Sequence, residues 1–259
     1  MEMSHEHRVN LAYAKSLLEN PSLATKLSSA IGTPIEKGFA MLPASWSEVV
    51  QAAARTSLQR ALEVALATLD DRPRLLSLDG LHKAMVATTG AAGGAFGLAA
   101  LGVELPISTV LMLRSIADIA RSEGEPLRAI ETKLACLEVF ALGGRNREDD
   151  AAEAGYFAVR AGLARAVSEA TRHVSERGLA SKGAPALTRL IATIASRFGV
   201  VVSEKAAAQA VPILGAAGGA LVNTLFIDHY QNMARGHFIV RRIERTYGHE
   251  LVEQVYGEI

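Results

Sequence analysis

The chain is 259 residues long, with 27 basic and 27 acidic side chains, so no whole-chain field draws it to nucleic acid or to an acidic substrate. Its one cysteine, Cys136, excludes an intramolecular disulfide framework and fits a reducing compartment, and the polar start Met1-Glu2-Met3-Ser4-His5-Glu6-His7-Arg8 has no secretory apolar stretch. Mean hydropathy is +0.19 although aromatics make up only 5%, so the hydrophobicity lies in alanine and the branched aliphatics, which suits closely packed helices.

Taken in order, residues 7–19 read as a polar helix with Val9, Leu11, Ala14, Leu17 and Leu18 inward, stopped by Asn20-Pro21. A short segment follows over 22–31. Thr33-Pro34-Ile35-Glu36 has the form of a helix start: threonine caps, proline sits in the first turn and glutamate reaches back. Ser45-Trp46-Ser47-Glu48 repeats that spacing and opens a helix to Leu69, with Val49, Ala53, Leu58, Leu62, Ala65, Leu66 and Leu69 along one side. Residues 84–103 carry no charge. Pro106 is expected to start a helix that runs through Ser122 and is broken by Gly124-Glu125-Pro126. Residues 127–142 form an amphipathic helix in which Cys136 is expected to be a buried, inert thiol. The stretch 143–150, Gly143-Gly144-Arg145-Asn146-Arg147-Glu148-Asp149-Asp150, is the most loop-like in the chain and the expected internal linker. Helices are predicted over 151–177, 185–197 and 199–210. Pro212 opens a second uncharged run, which leads into a basic helix ending near Tyr247, and 249–256 makes a short terminal helix. No window alternates with a period of two between turn signals. The expected fold is therefore all-α, a single multi-helix bundle: 1–44 an N-terminal helical extension and 45–259 the main helical domain, with an internal division near 143–150.

The strongest internal signal is a repeat. Gly90-Ala91-Ala92-Gly93-Gly94 returns letter for letter at Gly215-Ala216-Ala217-Gly218-Gly219. Each copy lies in an uncharged run that ends at a lone acid, Glu104 or Asp228. A basic helix then closes on a similar phrase, Arg121-Ser122-Glu123-Gly124 or Arg245-Thr246-Tyr247-Gly248. The runs, 84–103 and 206–227, approach the roughly 20 residues that span a bilayer. Twelve of the twenty residues of the first are alanine or glycine, and the second carries Gln209, Pro212 and Asn223, so transfer into lipid gains little. Gly90, Gly93, Gly94 and Gly97, and Gly215, Gly218 and Gly219, instead supply small-x-x-x-small pairs that let a neighbouring backbone approach. Two glycine-rich core helices related by a pseudo-repeat are expected.

Polar residues with a chemical use gather just beyond each glycine stripe. Glu104 precedes Pro106 and is expected just outside a helix N-terminus, where an anion is favoured. Arg114, Asp118 and Arg121 share one face of the following helix as a charge ladder, with Arg114 and Asp118 a half-buried structural pair or the floor of a pocket. The second copy offers Asn223, Asp228, His229, Arg235, His237, Arg241, Arg242 and Arg245. No HExxH and no facing ExxH pair suggests a metal, and no G-x-S-x-G, P-loop or dinucleotide spacing suggests a cofactor. Catalytic residues are not assigned; for an enzyme the candidates are Glu104, Arg114, Asp118, Asn223 and Asp228. Arg235, Arg241, Arg242 and Arg245 are a candidate cationic surface for anionic lipid headgroups or a partner's acids.

The stretch Thr89-Gly90-Ala91-Ala92-Gly93-Gly94-Ala95-Phe96-Gly97, the acid-x-Pro step at Glu104-Leu105-Pro106 and Leu113-Arg114-Ser115-Ile116-Ala117-Asp118-Ile119-Ala120 resemble the first signature of the EcsC family. Pro212-Ile213-Leu214-Gly215-Ala216-Ala217-Gly218-Gly219-Ala220-Leu221-Val222-Asn223 resembles its second, and the resemblance covers about 45–250. One departure is Glu104, where family members usually carry aspartate. The resemblance implies no established activity; it implies an accessory role linked to a membrane transporter of the ABC type. The leading expectation is a non-enzymatic helical protein at the cytoplasmic, inner face of the membrane, peripheral to it and binding anionic lipid or a membrane partner. The rivals are a hydrolase-like enzyme with a pocket between the repeats and a soluble binder of an apolar ligand.

Overall fold

The computed structural model describes residues 2–19, 22–70, 98–144, 155–177, 184–211 and 215–259. Ten helices and no strand occur among them: α1 (His5–Leu18), α2 (Leu23–Ile31), α3 (Ile35–Ala40), α4 (Trp46–Thr68), α5 (Leu98–Ser122), α6 (Ile130–Leu142), α7 (Tyr156–Arg177), α8 (Pro185–Ala210), α9 (Gly215–Tyr247) and α10 (His249–Glu258). The fold is an all-α bundle. The first glycine stripe, Gly90, Gly93, Gly94 and Gly97, and most of the expected linker lie outside the described residues.

The bundle is built round α8. Proline at its first position starts the helix, and Leu190, Ile191, Ile194, Phe198, Val201, Val202 and Ala206 to Ala208 are buried against α2, α3, α4, α6, α7 and α9. By length and apolarity it is the one described helix able to cross a membrane, and here one side packs on the other helices while Thr188, Arg189, Ala192 and Ser196 stay exposed. It is a single helix where the sequence suggested two. Gly199 lies within this helix, and its missing side chain makes room for the Gln51 amide of α4. A second, smaller core joins α1, α10 and the end of α9 through Leu11, Ala14, Ile239, Ile243, Val252 and Tyr256, with Tyr156 of α7.

Tertiary contacts override several local signals. Ser4 and Ser22 cap α1 and α2 as serine should. Thr33 does not cap α3; Pro34 occupies that position, and the Ile35 amide donates to Ser28 Oγ of α2 at 3.1 Å. Ser45 begins α4 without a side-chain capping bond. Val9 and Val49 are exposed rather than inward. Val9 lies about 200° round the helix from Leu11, whose side rests on α9, and Val50 takes the place expected of Val49.

The largest correction concerns Pro106. It lies inside α5, so the helix begins well before it and Glu104 is an interior residue, not an end cap. Proline removes only the bond to the Gly102 carbonyl, which is exposed and open to water, while packing on α4 and α9 holds the helix together.

One close approach sets the position of α3. A β-carbon on Gly38 would fall inside the contact distance of the Ala207 backbone carbonyl of α8. Backbone cannot yield as a side-chain tip can, so Gly38→Ala is expected to destabilise the fold by about 1–3 kcal/mol. Thermal denaturation measures it, and an unchanged midpoint would mean that α3 is not seated as described.

Candidate functional site

The helices that carry the two signatures, α5 and α9, lie side by side. Contacts join Glu104 to Asn223, Ser115 to Gln231 and Glu123 to Arg245, advancing together, so the helices run parallel. They are not level. Glu104 faces Asn223, five positions ahead of its repeat equivalent Asp228, so α9 has slid by more than a turn relative to the repeat. Gly218 and Gly219 of the second stripe are buried, and Gly215 begins α9.

The seam holds three polar layers. In the first, Lys205 Nζ of α8 donates to Glu104 Oε1 at 2.6 Å and Asn223 Nδ2 donates to the same oxygen at 2.8 Å. Lys205 and Asn223 are 0% exposed and Glu104 6%. The ammonium also lies 4.9 Å from the Phe226 ring centroid, within reach of its π face. Burial pulls the Lys205 pKa down, and the Glu104 charge opposes that pull.

In the second layer Gln231 Nε2 donates to Ser115 Oγ at 2.7 Å, and Arg121 pairs with Asp118 at 2.8 Å while reaching the Asp70 carbonyl at 3.2 Å. Asp118 therefore pairs with Arg121, not with Arg114 as the ladder suggested. The i, i+3 geometry sets both groups toward the end of α4, while Arg114 is half-buried a turn earlier.

The third layer depends on the turn after α5. Gly124, with φ of +79°, lets Glu125 N bond Ala120 O and Gly124 N bond Arg121 O, both at 3.0 Å, a Schellman ending. That turn buries Glu125, which accepts from Arg241 at 3.0 and 3.2 Å, from Arg245, and from Thr132 at 3.2 Å. Burial alone would raise the Glu125 pKa; the two guanidiniums and the hydroxyl outweigh it and hold the carboxyl below its usual range. Arg245 also donates to the Glu123 carbonyl at 2.6 Å, and Arg242 pairs with Glu123 at 2.7 Å. The arginines that close the second repeat thus cap the helix of the first.

Of the residues singled out in the sequence, the structure joins Glu104 to Asn223. Asp118 is fourteen residues further along α5, about 21 Å from that contact. Asp228 and Arg235 are half-buried on α9, and Arg241, Arg242 and Arg245 are engaged with Glu123 and Glu125. No local spacing in the sequence marks Lys205, which stands beside Glu204 in an otherwise uncharged stretch, 199–210. Nothing local in the sequence marks Glu138 or Arg160 either. Glu138 is buried on α6, and burial pushes its pKa up to about 7 against the weaker pull of Arg160 and Arg241. Burial also pushes the Cys136 thiol far up, leaving it unreactive, and holds His237 neutral where it meets Tyr156 at 2.8 Å. No group of three potential metal ligands occurs among the described residues.

The geometry defines an all-α bundle in which two parallel helices, α5 and α9, are locked by buried polar contacts, with Glu104 hydrogen-bonded to Asn223. The EcsC protein family matches residues 11–243, starting within α1 and so taking in the N-terminal helices, and the chain belongs to that family. Neither the curated proteins nor the solved structures contain a match to the chain.

Proposed function

We propose that the chain is a non-enzymatic helical accessory protein that works at the cytoplasmic face of a membrane, holding lipid or a transporter-type partner with one end of its bundle. The carrying observation is the exposure of Val103 (70%), Ile107 (47%) and Leu221 (40%). All three lie within about 5 Å, along the helix axes, of the level where Glu104 meets Asn223. At that level the polar groups are sealed against one another, which leaves the Glu104 carboxylate no opening to a substrate and leaves the apolar side chains to meet a partner. Exposed apolar groups of this kind insert into the headgroup boundary or a partner's apolar surface.

The basic cluster adds little to this reading. Arg241 and Arg245 share Glu125, and Arg242 pairs with Glu123, so the three cations are largely offset by two acids and weak rather than strong salt dependence is expected. Flotation with phosphatidylcholine–phosphatidylglycerol vesicles tests the reading. The wild-type chain is expected to float with the vesicles, and Val103→Glu/Ile107→Glu/Leu221→Glu to bind at least tenfold more weakly, since each buried aliphatic side chain is worth roughly 1.5–3 kcal/mol. A wild-type chain that stays unbound at low salt would remove lipid as the partner, and unchanged binding by the triple variant would remove this end as the contact.

A further inference from the structure

Away from the α5–α9 seam, a cleft of about 650 Å³ opens between α6, α7 and α10, a size that suits a small organic molecule. Its walls are Glu138 of α6, Phe157, Arg160, Ala164 and Val167 of α7, and His249 of α10.

Glu138 is the anomaly in this cleft. Its side chain is on the wall, the residue is only 7% exposed, and it accepts no hydrogen bond and makes no ion pair among the described residues. The cation that acts most on it, Arg160, is engaged elsewhere. Arg160 gives both ends of its guanidinium to Glu244, at 2.8 and 3.0 Å, and lies against the rings of Tyr156 and Phe157. Arg241, the other cation acting on Glu138, is committed to Glu125. His249 leans on the same Glu244 at 2.8 Å. The remaining charged groups on the wall among the described residues are Glu131, Glu253 and Arg172. With Arg160 paired to Glu244, the described residues of the wall carry an acidic excess, centred on a largely buried carboxylate that faces the cleft and accepts no hydrogen bond from any of them.

We propose that this cleft binds a small organic cation, an ammonium group carried on an apolar or aromatic body, with Glu138 as its counter-charge. The ammonium would donate to the Glu138 carboxylate, with the Ser168 hydroxyl on the same wall as a second acceptor, while the body lies against Phe157, Ala164 and Val167. The inference is independent of membrane binding, since the cleft lies on helices other than α5.

The test uses the full chain and benzylammonium as the probe, at pH 8, with saturation-transfer NMR and calorimetry as readouts. Saturable binding to the wild type is expected. Glu138→Gln keeps the shape and removes the charge, and is expected to bind at least tenfold more weakly while remaining folded. Ala164→Phe fills the cleft, keeps Glu138, and is expected to lose binding as well. Benzyl alcohol, the neutral counterpart, is expected not to bind. The proposal is overturned if the wild type shows no saturable binding, if Glu138→Gln binds as well as the wild type, or if benzyl alcohol binds as tightly as the ammonium.

Discussion

Lys205→Met is expected to cost about 3–5 kcal/mol of folding stability, because it breaks a buried ion pair and leaves one charge behind. Methionine keeps the apolar stem and its packing beside Phe226 but leaves the Glu104 carboxylate buried, with the Asn223 amide as its remaining partner in that layer. Glu104→Leu is expected to cost a similar amount for the mirror reason, an ammonium sealed at 0% exposure without its counter-ion. The double variant Glu104→Leu/Lys205→Met removes both charges and is expected to recover most of the loss, because a buried pair gains little over an apolar replacement once both desolvation costs disappear. Urea unfolding of the four proteins gives the coupling directly. If the two single losses simply add in the double variant, the residues do not form the pair described here. A recovered double variant would also indicate what the layer is for. It would then fix the register of α5, α8 and α9 rather than contribute net stability.

The parts of this fold that were legible in the sequence are those decided within a turn or two of chain. The repeated closing phrases end in Gly124 and Gly248, and both adopt positive φ, +79° and +84°, where glycine alone is unstrained. Uncharged alanine-rich runs and the absence of period-two alternation pointed to helices, and the described residues hold only helices. What was not legible depends on distant neighbours. Pro106 signals a helix start unless α4 and α9 already hold the preceding turn. Thr33 signals a cap unless Ser28 of another helix has reached the amide first. Glu104 and Lys205 are 101 positions apart, and Glu125 and Arg241 116, so no local spacing announces either pair. The parallel run of α5 and α9 brings Glu125 to Arg241, whereas the partner of Glu104 comes from a third helix, α8.

The stability of the wild-type chain is expected to fall between about pH 5 and pH 8, and that loss is expected to be smaller in Glu138→Gln. The ordinary pKa of 4.5 applies to Glu138 in the unfolded chain, whereas burial raises it to about 7 in the folded one. The folded state therefore holds the proton more tightly, and the stability this provides is fully present below about pH 4.5 and lost as pH rises through 7. The shift corresponds to roughly 3 kcal/mol once both states are ionised. Glu204 behaves in the same sense, raised to about 7 by burial against a bond from the Ala24 amide, so the fall does not vanish in the variant. His237 works in the opposite direction. It is held neutral when folded, and its contribution is lost as pH falls below 6.5. Because Glu204 and His237 are present in both proteins, the difference between wild type and Glu138→Gln isolates the one carboxyl. Urea unfolding at pH 5 and pH 8 is expected to show the variant gaining about 3 kcal/mol on the wild type across that range. A difference that stays flat would mean that Glu138 titrates like an exposed acid, and an exposed acid would have no need of an organic cation in the cleft. A difference that grows would make the same point from the other side: near neutral pH the folded chain carries a charge that it does not itself compensate, and a ligand that supplies the opposite charge would stabilise it most where the empty protein is weakest.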